Sequence, residues 1–130
     1  MPKECSRYKY DRSKMDHLSV ERFDELAEAA LADIPRELTE LLDNVAMFVE
    51  DEPPDDYPGL LGYYEGVALT ERDSGYSGVL PDRIVIFRHP ILAICQTEDD
   101  VMREIGITVV HEIAHHFGID DHRLHQLGYG

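Results

Sequence analysis

His111-Glu112-Ile113-Ala114-His115-His116-Phe117-Gly118-Ile119-Asp120-Asp121 lies at the end of the longest helical pattern in the chain, and its reading decides the fold. Upstream, Val101, Met102, Ile105, Val109, Ile113 and Phe117 recur every three or four residues, the spacing of one buried helical stripe. Thr97 stands where a cap belongs, Asp100 occupies the reciprocal capping position, and Glu98 and Asp99 complement the helix dipole. Gly118 ends the helix, because glycine adopts the left-handed conformation that turns a chain back. A last short helix is expected over about Asp121 to Leu127.

Further from this helix the pattern changes. Arg83-Ile84-Val85-Ile86-Phe87-Arg88 is the clearest strand, stopped at His89-Pro90. Val45 to Glu50 and Leu60 to Glu65 are short and β-compatible, and Val67 to Leu69 is a weaker candidate. Three prolines and four acidic residues make Asp51 to Gly59 a loop, and Glu71 to Gly78, which lacks Gly-Lys-Ser/Thr, reads as a loop that binds no phosphate. Toward the N-terminus, Ser19 caps a helix whose apolar face is Val20, Phe23, Ala27, Ala30, Leu31 and Ile34, and Pro35 starts a short second one through Leu38, Leu41 and Leu42. Helices, then three or four strands, then helices predict an α+β domain with one small sheet over residues 19–130. Residues 1–18, polar and without periodicity, read as a flexible N-terminal arm.

A chain of 130 residues with 43% hydrophobic content builds one modest core. No apolar run is long enough to span a bilayer, and the first residues offer no export signal. With only Cys5 and Cys95, a disulfide framework is excluded, so a reduced, cytoplasmic setting is expected. The net charge is −15; residues 1–16 carry five Lys/Arg against three Asp/Glu, or +2, which leaves −17 on the rest. Such a body repels phosphate backbones, disfavouring nucleic acid as a partner, and attracts cations and basic peptides.

The chemistry concentrates in the closing motif. On a helix, His111 and His115 stand on one face about 6 Å apart along the axis, so two imidazoles can converge on one ion. Glu112 lies about 100° around the helix, placed to act as a general base without being forced to ligate. In a continuous helix residue 121 would be about 15 Å from His111. The turn at Gly118 brings Asp121 back as the third ligand, which leaves a fourth position open, as in catalytic zinc sites. His122 is the rival third ligand, and Asp121 also suits the N-cap of the last helix. His116 points about 140° from His111 and is expected on the surface. His17 and His89 have no motif around them.

HExxHxxGxxD resembles the motif of metzincin-type zinc peptidases, with Asp in place of their third His. No methionine follows it, and no Glu follows Glu112, which sets aside the Met-turn and thermolysin-type classes. The chain is most similar to the minimal zincin-like metallopeptidases of bacteria and archaea over about residues 19–130. The resemblance rests on Val45 to Pro54, Leu60-Leu61-Gly62-Tyr63-Tyr64-Glu65-Gly66, Tyr76-Ser77-Gly78-Val79-Leu80-Pro81-Asp82-Arg83-Ile84 and His111 to Gly130. It implies a small mixed sheet packed on an active-site helix, zinc held by His111, His115 and Asp121, Glu112 as the base, and a peptide or protein substrate. Under that plan Ile84 to Phe87 is a candidate edge strand to which a peptide adds, although the same residues read equally as a plain core strand. Tyr63, Tyr64, Tyr76 and Tyr129 are the candidate oxyanion donors. Two other readings compete: a non-catalytic zinc-containing peptide-binding protein, and a zinc endoribonuclease of His-x3-His-x5-His spacing, a class that lacks the Glu after its first His.

Overall fold

Ser19 starts the first helix as its sequence position predicts: the side chain accepts from the Arg22 amide at 3.0 Å. In the computed structural model, which describes residues 15, 17–66 and 82–129, this helix, α1, spans Val20–Ala32. Its buried face is Phe23, Leu26, Ala27 and Ala30. Leu26 takes a core place that the expected stripe omitted, whereas Val20, at the helix start, is 45% exposed. Met15 and Leu18 also join the core, so the described part of the expected arm packs against the body. Pro35 leads into α2 (Arg36–Thr39), and Glu40–Leu42 tightens into a 3₁₀ turn. Asn44, at φ 64°, then turns the chain into β1 (Val45–Glu50).

The sheet has the order β1-β3-β2, with β2 at Gly62–Glu65 and β3 at Asp82–Phe87. β1 runs parallel to β3, Val45 facing Asp82, and β2 runs antiparallel, Tyr64 facing Ile84. The sheet is therefore mixed, and Ile84, Val85, Ile86 and Phe87 on its central strand are all buried. This corrects the edge-strand expectation for Ile84 to Phe87. A run of consecutive apolar residues is what burial on both faces requires, and such a strand belongs in the middle of a sheet. The expected Val67 to Leu69 strand, the Glu71 to Gly78 loop and Tyr76 lie outside the described residues.

His89-Pro90 ends β3 but does not open a loop. Arg88–Ala93 forms a short helix, α3, burying Ile91 and Leu92. Pro90 is tolerated there because the first helical amides have no intrahelical acceptor to lose. The long helix α4 (Glu98–Phe117) follows, and α5 (Asp121–Gln126) closes the fold. α4 packs on α1 and on the sheet, and Val101, Ile105, Val109, Val110 and Ile113 are its fully buried positions. Phe117, expected in that stripe, is 41% exposed. The last turn of α4 ends against Tyr64, whose ring meets Phe117 edge-on at 6.0 Å, so Phe117 caps the rim of the core.

At Gly62, β2 lies tightly against β3 and α4. A Cβ there would lie 2.7 Å from the Val85 carbonyl oxygen and 2.9 Å from the Thr108 methyl. One contact is with backbone and cannot swing aside. Gly62→Ala is expected to destabilise the protein by about 1–3 kcal/mol, measured by denaturant unfolding; an unchanged midpoint would contradict the tight approach.

Candidate metal centre

The start of α4 fixes which side chains share its outer stripe. The Thr97 hydroxyl accepts from the Asp100 amide at 3.1 Å, and the Asp100 carboxylate accepts from the Gln96 amide at 3.0 Å. With the register set, Glu104, Thr108, His111, Glu112 and His115 follow one another along one side of the helix. Gly118 adopts the left-handed conformation at φ 73°, and the Ile119 amide bonds back to the Ala114 carbonyl at 2.9 Å. The helix thus stops where the sequence predicts.

Beyond the turn, two adjacent aspartates divide the work. Asp120, not Asp121, is the N-cap of α5, accepting from the Arg123 amide at 2.8 Å. The Asp121 carboxylate, the expected ligand, makes no hydrogen bond or ion pair among the described residues and is exposed. α5 is tied to α2 by Arg123, whose guanidinium pairs with Glu37 and holds that carboxyl below the usual carboxylate range.

His111, Glu112 and His115 line one cavity of about 250 Å³, facing Leu60 to Gly62 at the start of β2. Asp121 lines a neighbouring cavity of about 330 Å³ with His111, Leu124 and His125. His111 is the wall common to both. Two imidazoles and a carboxylate, with Glu112 next to them, are a donor set of the kind that suits zinc, but the side-chain positions do not gather it. Among the described residues no three His, Cys, Asp or Glu side chains come close enough to hold one ion. The Nε2 of His111 instead lies 2.8 Å from the Tyr129 carbonyl, and since a carbonyl only accepts, Nε2 carries the proton in this contact.

The Tyr129 contact has a local cause. Gly128, at φ 90°, ends α5 with the Tyr129 amide bonded to the Leu124 carbonyl and the Gly128 amide to the His125 carbonyl. This paired pattern is a Schellman turn, and it swings Tyr129 back toward α4. The sequence signal was a glycine just past a short helix; what it could not show is that a backbone carbonyl would land on His111. Burial, and then the Asp33 charge, raise the Tyr129 phenol above its ordinary range.

Glu112 has a partner that sequence reasoning also missed. Phe87 N–H bonds to the Leu61 carbonyl at 2.9 Å, so by antiparallel alternation Tyr64 occupies a non-hydrogen-bonded position opposite Ile84. Its amide faces outward from the sheet and donates to Glu112 Oε1 at 3.1 Å. Among the described residues, β2, not β3, is thus the strand whose outer edge borders the cleft. The Tyr64 ring stacks on His116 with centroids 3.9 Å apart, and its hydroxyl donates to Asp82 Oδ2 at 2.6 Å. His116 is exposed as expected, yet this stack joins β2 to the end of α4. Of the other oxyanion candidates, Tyr63 stacks on Phe87. His122 contacts Gln126 at 3.3 Å and does not line the cavity beside Asp121; His125 does.

The match to known families covers residues 42–130, which span β1 through α5 and both cavities, and the matching model is that of the zincin-like metallopeptidases. The chain belongs to that family. A zincin-like assignment agrees with the small mixed sheet set against one long helix. Among solved structures, the zincin-like chain is similar to a conserved hypothetical protein from T. thermophilus, at 26% identity and a TM-score of 0.54. That match covers 77% of this chain and 94% of the other. No functionally curated protein matches. No described helix of the zincin-like chain is long and apolar enough to cross a membrane.

Proposed function

We propose that this protein is a zinc-dependent peptidase in which His111, His115 and Asp121 hold the metal and Glu112 is the general base. The observation that carries the reading is the cavity in which His111, Glu112 and His115 together face the outer edge of β2. Zinc held there supplies a Lewis acid for amide hydrolysis. An extended peptide adds to the outer edge of β2, alongside the Tyr64 amide, with its scissile bond beside Glu112. Glu112 accepts a proton as water attacks and returns it to the leaving amine. For Asp121 to join the two histidines, His111 releases the Tyr129 carbonyl and the Asp121 side chain turns toward α4. The acidic body disfavours nucleic acid as a partner.

A second reading is a non-catalytic zinc-containing protein that binds peptides on the same edge. It is favoured by the two contacts that occupy the machinery, Tyr64 amide to Glu112 and His111 to the Tyr129 carbonyl. Metal analysis paired with a peptide-library cleavage assay separates the two. The peptidase reading expects one zinc per chain, cleavage that chelation abolishes and zinc restores, and loss of metal in His115→Ala. Zinc without cleavage moves the protein to the second reading, and a protein that takes up no zinc rejects both.

A further inference from the structure

The cavity containing His111, Glu112 and His115 continues along α4 toward the helix start, past Thr108 to Glu104. This upper end has features that the hydrolytic reading does not use. Thr108 is 7% exposed, and its hydroxyl has no hydrogen-bond partner among the described residues. A helical threonine ordinarily bonds back to the carbonyl one turn earlier, so a buried hydroxyl left unsatisfied is costly unless something else meets it. Glu104, one turn further on, is half-buried, and its carboxylate has no ion-pair or hydrogen-bond partner among the described residues. Its charge acts inward as well: the Cys95 thiol is pushed up to about 12, first by burial and then by Glu104 and Asp100. Between these polar groups the walls are apolar, with Ile107 on the helix and Leu60 and Leu61 opposite.

We infer that this end of the cavity is a subsite for a lysine or arginine side chain of the substrate, with Glu104 taking the cationic head and the Thr108 hydroxyl accepting a hydrogen bond. The inference rests on the peptidase reading for its reaction and adds the substrate class. Lysine and arginine combine a long apolar stem with a charged tip, and they bury the first while pairing the second. The site offers both in that order: apolar walls near the cleft and an unpaired carboxylate at the far end. Glu104 and Glu112 are eight residues apart, about 12 Å along the helix, the span of an extended residue plus a long basic side chain. The whole cavity, with His111, Glu112 and His115 at one end and Glu104 at the other, holds about 250 Å³, below the range of ordinary small-molecule pockets, so its upper end has room for no more than one side chain. The net charge of −15 draws basic peptides toward the cleft.

The test profiles a peptide library on wild type, Glu104→Gln and Glu104→Lys, and measures equilibrium binding of matched Lys- and Gln-containing peptides to Glu112→Gln and to Glu112→Gln/Glu104→Gln. Wild type is expected to favour Lys or Arg at one position near the cleaved bond. In Glu104→Gln the ratio of kcat/KM for the Lys over the Gln peptide should fall roughly tenfold, and Glu104→Lys should favour acidic residues at that position. Cleavage without a basic preference, or a preference that survives Glu104→Gln, overturns the subsite and leaves the peptidase reading standing. Absent cleavage overturns the peptidase reading; Lys-selective binding that requires Glu104 would then still establish the subsite, and unselective binding would remove both.

Discussion

Replacing Glu112 by glutamine is expected to lower peptide hydrolysis by about 10²–10⁴-fold, with zinc content and thermal stability at wild-type values. The substitution keeps the shape of the side chain and an Oε1 that can still accept from the Tyr64 amide at the edge of β2. It removes only the ability to take and return a proton. A helix that stays in place, an edge strand that stays docked and a rate that collapses together identify Glu112 as the base. Stopped and steady-state assays on the same peptide, with zinc measured in both samples, read the outcome. An activity within a few-fold of wild type would instead mean that the carboxylate only holds β2 against α4.

Ile113→Ala has the largest expected effect on stability, a loss of about 2–5 kcal/mol. Ile113 is fully buried, and it lies in the chain between Glu112, the proposed base, and His115, a proposed ligand. Truncating it opens a cavity beneath this end of the helix, between α4 and the rest of the core. Against a typical total of about 5–15 kcal/mol, the loss should be plain in urea or thermal unfolding. A destabilisation under about 1 kcal/mol would show that α4 is not packed at native density.

Much of this arrangement was legible in the residues. α4 could be read from both ends because its signals are local: Thr97 and Asp100 bond to amides within a few residues, and Gly118 supplies a backbone conformation of its own. β1 could be read for the same reason. The sheet order could not, since which strand lies in the middle depends on pairings between residues some twenty to forty positions apart. The apolar run Ile84 to Phe87 carried the hint, in that a strand with no polar face has no side to give to solvent. α3 was missed because Pro90 speaks against a helix interior but not against a helix start. At the site, His111, Glu112 and His115 share a cavity because one helix carries them all. Asp121 is reached through a turn and a second helix, where small changes in direction accumulate, and the spacing alone does not fix its side chain.

The paired aspartates at the start of α5 have one further consequence. Asp120 secures the helix, while Asp121 and His115 are exposed and bear none of the fold's internal bonds among the described residues. Either could be exchanged in the course of descent with little effect on folding, because substitutions at such positions usually shift stability by no more than about 0.5 kcal/mol. Architecture and reactivity are therefore heritable separately here. A lineage could keep this scaffold intact while losing the proposed chemistry, and ancestry alone would not reveal which members retain it.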